Sequence, residues 1–495
     1  MRFRLLKKNF IAFLVILIVF IMLFYTIRRT KDETNVEVTE KEVSQTAIMV
    51  KFDYGTIENM RKSVYDSNYR QFIQNRDKFP LDPEVVVVVQ VHNRPAYLKM
   101  LIQSLEKVTG IQNTLVIFSH DYFSEEISDM VKGIGFCKVL QIYFPYSIQL
   151  YPNEFPGQDP EDCPRDISKE DAVKKGCSNA EHPDSYGHYR EASITQTKHH
   201  WWWKLHFVFE RVRVLRGYNG FVVVIEEDNY LLPDFHEYFK SMAELRKTKC
   251  GDCDILAVGN HDGLSGFHEL SSKTETAGWL STKHNIGMGI SRELYYKLMG
   301  CNHAFCTYDD YNWDWTLQSL SGTCISKPLK VLVALGSRVL HTGDCGLHQK
   351  EDCQPEKAQE RVDEVLKEAQ MALFPPALTL TDLGPVEHTY DDYNWDWTLQ
   401  SLSGTFISKP LKVLVALGSR VLHTGDCGLH QKEDCRPEKA QERVDEVLKE
   451  AQTALFPPAL TLTDLGPVEH QPHMKNGGWG DVRDHTLCIN YAARL

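Results

Sequence analysis

The run Phe221-Val222-Val223-Val224-Ile225-Glu226-Glu227-Asp228 constrains the fold more than any other stretch of this chain. A continuous apolar run rich in Val and Ile reads as a strand buried on both faces of a parallel sheet. It delivers three carboxylates to the edge at which open α/β sheets bind ligands. Adjacent carboxylates repel one another unless a cation sits among them, and a hard metal ion is the natural occupant. The competing reading is a solvated turn that caps a helix, since Asn229 and Pro233 follow.

Strand-like and helix-like segments alternate ahead of that run. Val85-Val86-Val87-Val88-Val89 is a second buried-strand pattern, and Leu98, Leu101, Ile102 and Leu105 recur at helical spacing over 95–108. A strand is expected over 114–118, a helix over 124–134, a strand over 138–144 and a helix over 196–214, with 163–189 an irregular, disulfide-tied excursion. Alternation at βαβ spacing predicts an α/β fold with a mostly parallel, doubly wound sheet.

The N-terminus points to a membrane. Arg2, Arg4, Lys7 and Lys8 precede an uncharged apolar run from Phe10 to Ile27, and Arg28, Arg29 and Lys31 follow it. That run is close to the ~20 residues that cross a bilayer as a helix, and no small-residue cleavage motif follows. A type II signal anchor is therefore expected: 1–9 a cytosolic tail, 10–27 the span, 28–80 a polar stem with a helix near 55–72, and 81–495 a lumenal catalytic domain. The 13 cysteines suit an oxidising lumen. The short-spaced pairs Cys163/Cys177, Cys250/Cys253, Cys301/Cys306 and Cys345/Cys353 read as disulfides rather than zinc sites. The odd total leaves one thiol over, for which Cys137 on an apolar stretch is the candidate. A net charge of −12 with no basic face argues against nucleic-acid partners.

Residues Thr307–His388 recur as Thr389–His470, changed only at Cys324/Phe406, Gln354/Arg436 and Met371/Thr453. A stacking array needs three or more copies to bury a shared core. One copy is thus expected to complete the fold and the second to be an insertion.

Four further segments carry chemistry. Gln90-Val91-His92-Asn93-Arg94-Pro95 follows the first strand, where a doubly wound sheet binds a nucleotide and Arg94 can meet a phosphate; a plain strand-to-helix turn capped by Asn is the alternative. Asp121, after Phe118-Ser119-His120, either bonds a base or ribose or caps the next helix. Gln196-Thr197-Lys198-His199-His200-Trp201-Trp202-Trp203-Lys204 is an aromatic helix whose adjacent histidines make a poor chelate. Thr307-Tyr308-Asp309-Asp310-Tyr311-Asn312-Trp313-Asp314-Trp315 alternates aromatics, which stack on sugar rings, with carboxylates, which accept hydroxyl protons. Beyond it His341 ends a strand and can join Asp228 at a metal, since imidazole suits manganese and other transition metals; a structural histidine is the commoner reading of these residues alone.

These segments, with Tyr151–Gly157 and Lys475-Asn476-Gly477-Gly478-Trp479-Gly480-Asp481, closely resemble the N-acetylglucosaminyltransferase II family from about Val85 to the C-terminus, less one copy of the repeat. The resemblance implies a GT-A (Rossmann-like) fold, a UDP-GlcNAc donor, Mn²⁺, Golgi location, and transfer of GlcNAc to the 2-hydroxyl of the α1,6-arm mannose of an N-glycan acceptor. It implies donor contacts from Gln90, Val91, His92, Asn93, Arg94, Asp121, Gln196, Thr197, Lys198, His199 and His200, metal ligation by Asp228 and His341, and Asp314 as general base. Glu226, Tyr311 and Trp313 would line the acceptor mannose, and Arg165 and Asp184 would hold a more distant branch. The implied disulfides are Cys163–Cys177, Cys250–Cys253, Cys301–Cys324, Cys306–Cys488 and Cys345–Cys353. Only the first copy has the cysteine for Cys301, so that copy is expected to build the site. One departure is Gly263-Leu264-Ser265, where the family has an arginine donor contact. A homodimer is compatible with all of this. Two alternatives stand beside it: a related transferase for another acceptor arm, and a catalytically silent glycan-binding homologue.

Overall fold

The computed structural model describes residues 49–80, 82–260, 267–343, 355–370, 372–380, 449 and 476–494. The chain divides into two compact units, Met1–Gly384 with Pro472–Leu495, and Pro385–Gln471. All described residues except Lys449 belong to the first. Among the described residues no helix is long and apolar enough to cross a membrane, and the Phe10–Ile27 run lies outside them.

The strands are β1 Ile73–Gln74, β2 Val85–Val91, β3 Thr114–His120, β4 Lys138–Tyr143, β5 Phe221–Glu226, β6 Asn229–Leu231, β7 Ile255–Ala257, β8 Lys273–Gly278, β9 Met288–Ser291, β10 Lys330–Ala334, β11 Val339–His341 and β12 Thr379–Leu380. They form a ten-stranded sheet, in the order β1-β4-β3-β2-β5-β9-β7-β10-β8-β12, and a β11-β6 pair. The sheet is parallel through β4-β3-β2-β5. Beyond β5 it is mixed, since β9 runs antiparallel to both β5 and β7, and β10 antiparallel to β8. The expectation of a mostly parallel sheet thus holds for the half that carries the site. β9 is four residues long and contains Gly289, too short a pattern to signal its direction.

Strand alternation makes the sheet two-sided. Val86, Val88, Leu115, Ile117 and Val222 pack with Trp201, Trp202, Trp203 and Leu205 of the helix Ala192–His206. Val85, Val87, Val89, Val116 and Val223 face the opposite layer, with Leu98, Leu101 and Leu105 of the helix Pro95–Lys107 and Phe235 and Phe239 of the helix Phe235–Lys249. Each buried valine contributes roughly 1.5–3 kcal/mol, so the polar edge stands on a rigid floor.

Two expectations are corrected. From Met49 onward the segment expected as stem belongs to the globular unit: β1 pairs with β4, and the helix Ile57–Arg70 is anchored where Asn68 exchanges two hydrogen bonds with the Tyr143 backbone, at 2.7 and 2.8 Å. The apolar Val64, 2% exposed, joins that contact, which a mainly polar sequence concealed. Residues 163–189 contain an ordered helix, Lys169–Lys175, capped by Ser168. The helical stretch expected over 196–214 is present: it starts at Ala192, passes into a π-turn, Phe207–Arg211, and closes in a 3-10 turn, Arg213–Leu215.

The first repeat copy supplies the helix Trp313–Thr323, β10, β11, the helix Pro355–Ala369 and β12. Its Cys324 is bonded to Cys301, and Cys163–Cys177, Cys250–Cys253 and Cys306–Cys488 are likewise joined. Cys345 and Cys353 lie outside the described residues, as does the second copy apart from Lys449. Cys137 is a buried free thiol.

Candidate active site

The ends of β2, β3 and β5 place Gln90, Asp121 and Glu226–Asp228 on one edge, with Gln90 in register with Glu226. Arg94 meets the acidic triplet: its Nε donates to Glu227 Oε1 at 2.8 Å and its Nη1 to Asp228 Oδ2 at 2.7 Å. The His92 backbone N–H donates to Glu227 Oε2 at 2.9 Å. Pro95 starts the following helix, and Arg94 at its N-cap makes no side-chain cap bond, so the Asn-capped turn is not what forms. Asn93 is exposed, and Val91 is buried with its carbonyl accepting from Asp121 N.

β11 brings His341 beside the triplet by pairing with β6, His341 opposite Asn229. His341 Nε2 lies 3.4 Å from Asp228 Oδ2. Thr342 donates through N and Oγ1 to the Asp228 carbonyl at 2.8 and 2.6 Å. Gly343 is required by this closeness, because a Cβ there would come within 2.1 Å of Asp228 Oδ2. Burial opposes ionisation of Asp228, but His341 and Arg94 outweigh it and hold the carboxyl below its usual range. Glu226 and Glu227 are both raised, chiefly by burial.

Asp121 is held from two sides, by His92 Nδ1 at 2.7 Å and His200 Nδ1 at 3.2 Å. Burial disfavours its charge, yet the two imidazoles keep its carboxyl far below the ordinary value. Gln196 Nε2 reaches the Asp121 carbonyl at 3.5 Å, and its Oε1 accepts from Ile148 N at 2.7 Å. Gln196, His200 and Lys204, spaced by four, therefore share one face of the helix Ala192–His206. Lys204 Nζ donates to Gln90 Oε1 at 2.7 Å.

Lys198 and His199 face elsewhere, contrary to their expected donor contacts. Lys198 Nζ donates to the carbonyls of Tyr308 and Asp310 at 2.9 and 2.7 Å. His199 lies between Asp484 Oδ1 at 2.9 Å and the Tyr491 hydroxyl at 3.0 Å, inside the contact with the helix Val482–Arg494. Both are buried. Thr197 is half-buried.

Asp314 opens the helix Trp313–Thr323. Its Oδ1 accepts from Trp315 N at 2.9 Å and its Oδ2 from Asn285 Nδ2 at 3.0 Å. Burial pushes its carboxyl up to about 7; the two donors oppose this, while Asp310 and Glu226 add to it. Trp313 stacks on Trp201 at 4.3 Å with the rings 7° apart, so its ring face is committed to the core. The Tyr311 backbone N–H donates to the Gly477 carbonyl at 3.1 Å, and its ring packs beside Gly478.

Asp184 accepts from the N–H groups of Tyr186 and His188 at 2.8 Å each and of Gly478 at 2.7 Å. Arg165 bonds Asp166 and reaches Glu191 at 3.0 Å. His188 stands between Asp166 and Asp184, so both residues belong to one segment tied to the Asn476–Gly478 turn. Residues 261–266, with the missing arginine, lie outside the described residues. Glu227, Asn285 and Gly343 were not assigned roles from sequence. Glu227 had a signal in the triplet, whereas Asn285 had none.

Two donor atoms of types that suit a transition metal, Asp228 Oδ2 and His341 Nε2, converge at this edge. Such a pair fits an ion whose remaining ligands are substrate phosphates and water. The only three-residue group of potential ligand atoms among the described residues is Cys250, Asp252 and Cys253, and its two sulfurs form a disulfide.

A mixed α/β sheet with this acidic edge fits a Rossmann-like glycosyltransferase. A family model described as N-acetylglucosaminyltransferase II matches residues 61–389 and again 387–488. Alpha-1,6-mannosyl-glycoprotein 2-beta-N-acetylglucosaminyltransferases of Sus scrofa and Homo sapiens are each 51% identical over 433 residues, covering 87% of this chain and 79% of theirs. The Arabidopsis thaliana enzyme of the same name is 36% identical over 279 residues, 56% of this chain and 62% of its own. The chain belongs to the N-acetylglucosaminyltransferase II family.

Proposed function

We propose that this chain transfers GlcNAc from UDP-GlcNAc to the 2-hydroxyl of the α1,6-arm mannose of N-glycans, with inversion. The observation that carries the mechanism is Asp314, a half-buried carboxylate at the start of the helix Trp313–Thr323, held by Trp315 N and Asn285 Nδ2, whose burial raises it to about 7. A base with that affinity is matched to removing a hydroxyl proton near neutral pH. Asp314 takes the proton of the acceptor 2-hydroxyl as the oxygen attacks the anomeric carbon opposite UDP, and the C1–O bond to the diphosphate breaks. The leaving group departs as a stabilised anion, so no second protein acid is needed, unlike the paired carboxylates of inverting glycosidases. Asp228 and His341 would hold Mn²⁺, which supplies Lewis-acid stabilisation of the diphosphate when bound. Arg94 adds fixed positive charge beside it. Asp121, with Gln90 and His92, orients the donor.

The charged flanks of the Phe10–Ile27 run and the lumen-compatible disulfides support a type II Golgi membrane protein. The decisive experiment is linkage analysis of product made from UDP-GlcNAc, Mn²⁺ and an N-glycan with a free α1,6-arm mannose. A β1,2-linked GlcNAc on that arm is expected. Transfer to another position or arm would overturn the assignment.

A further inference from the structure

Two lysines on one helix are fully buried, and neither belongs to the chemistry above. Lys198 and Lys204 of the helix Ala192–His206 are both 0% exposed. Among the described residues no carboxylate oxygen bonds either ammonium; Lys198 holds two carbonyls and Lys204 one side-chain amide. Burial pushes each down to about 7, with Asp310, Asp309 and Asp484 acting on Lys198 from a distance and Glu226 and Asp121 on Lys204. A buried ammonium without a bonded carboxylate is costly, and a leucine or methionine would fill the same space without that cost.

The contacts explain what the ammoniums do. Lys198 holds the carbonyls of Tyr308 and Asp310, just ahead of the helix on which Asp314 sits. The same short segment is gripped through the Asp310 carboxylate by Asn312 N at 2.8 Å and by Asn476 N and Nδ2 at 2.9 and 3.0 Å. Trp201, three residues from Lys198 on the same face, stacks on Trp313. The opposite assignment holds for Gln196, His200 and Lys204, which touch Asp121 and Gln90.

We propose that Lys198 and Lys204 are positioning residues with separate duties: Lys198 sets the segment that carries the base Asp314, and Lys204 sets Gln90 on the donor side. The proposal rests on the transferase reading above. It replaces a direct donor contact by Lys198 with an indirect acceptor-side role, and it makes one helix the common reference for both halves of the site.

The test is a double dissociation in the full chain. Lys198→Met is expected to lower kcat about tenfold or more while UDP-GlcNAc Kd stays within about twofold, since small misplacement of a reacting group costs turnover rather than remote binding. Lys204→Met is expected to raise the donor KM about tenfold with kcat at saturating donor within about twofold. Should Lys198→Met not fold, Asn476→Ala loosens the same segment from the exposed side and is expected to lower kcat about threefold at unchanged donor Kd. Donor affinity lost in Lys198→Met, equal defects in both lysine variants, or an unaltered kcat in Asn476→Ala would overturn the proposal. A wild-type chain that binds donor but transfers nothing would instead overturn the transferase reading.

Discussion

Replacing Asp314 by Asn should separate activity from stability in opposite directions. Raising a carboxyl from 3.8 to about 7 costs its ionised form about 4 kcal/mol. The sign follows from proton binding: the folded state holds the Asp314 proton more tightly than the unfolded chain does. Stability is therefore lost as pH rises from the unfolded value toward about 7, and the full penalty is present above it. Asn carries no charge and escapes that penalty. It has one acceptor oxygen where Asp314 serves both Trp315 N and Asn285 Nδ2, and the lost bond costs about 1 kcal/mol. Asp314→Asn should thus be about 3 kcal/mol more stable than wild type near pH 8, the gain shrinking as pH falls and giving way to a deficit of about 1 kcal/mol below about pH 4. Turnover should fall about 10²–10⁴-fold, as for loss of a general base, or about 3–5 kcal/mol of barrier. Urea denaturation at several pH values and initial-rate assays measure the two effects. Wild-type rates should climb with pH and level off above about 7, a limb the variant lacks. Near-normal turnover, or a stability difference that ignores pH, would remove Asp314 from the role.

Other outcomes follow from the same geometry. Cys324→Ser opens the bridge to Cys301 and should cost about 2–5 kcal/mol in denaturant unfolding. Gly343→Ala drives a methyl onto Asp228 Oδ2, so Mn²⁺ affinity, read by metal titration of transfer, should weaken by about tenfold or more. His341→Ala should abolish metal-dependent transfer while His423→Ala, at the matching position of the second copy, leaves it intact; the reverse pair of results would assign the site to the second copy.

Much of the fold was legible because Val85–Val89 and Phe221–Ile225 are long, β-branched and bounded by polar turns. β6, β7 and β9, of three or four residues each, carry no such pattern, and their directions are set by tertiary packing. The acidic triplet was readable as chemistry from its residues, whereas the roles of Asp314 and His341 came only with the family resemblance, and the block Gln196–His200 was treated as a unit. A helix turns once in about 3.6 residues, so consecutive side chains cannot share a ligand. Gln196 and His200 reach Asp121, while Lys198 and His199 turn to the base segment and the C-terminal helix. Helical periodicity alone would have separated them. Asn285 was beyond reach, since its link to Asp314 spans 29 residues with no motif.

The first copy and the residues after 470 supply the elements that surround the candidate site. Copy one supplies β10 and β11 to the sheets, and Cys306 is bonded to Cys488 across the repeat. Closing a longer loop costs only about 0.6 kcal/mol per doubling of its length, so the intervening residues add little to the cost of bringing Cys488 to Cys306. The direct measurement is the initial rate of GlcNAc transfer by the intact chain and by a chain lacking Thr389–His470, at equal folded concentration. An equal or higher rate in the shortened chain is the expected result; transfer that disappears on deletion while donor binding persists would contradict it.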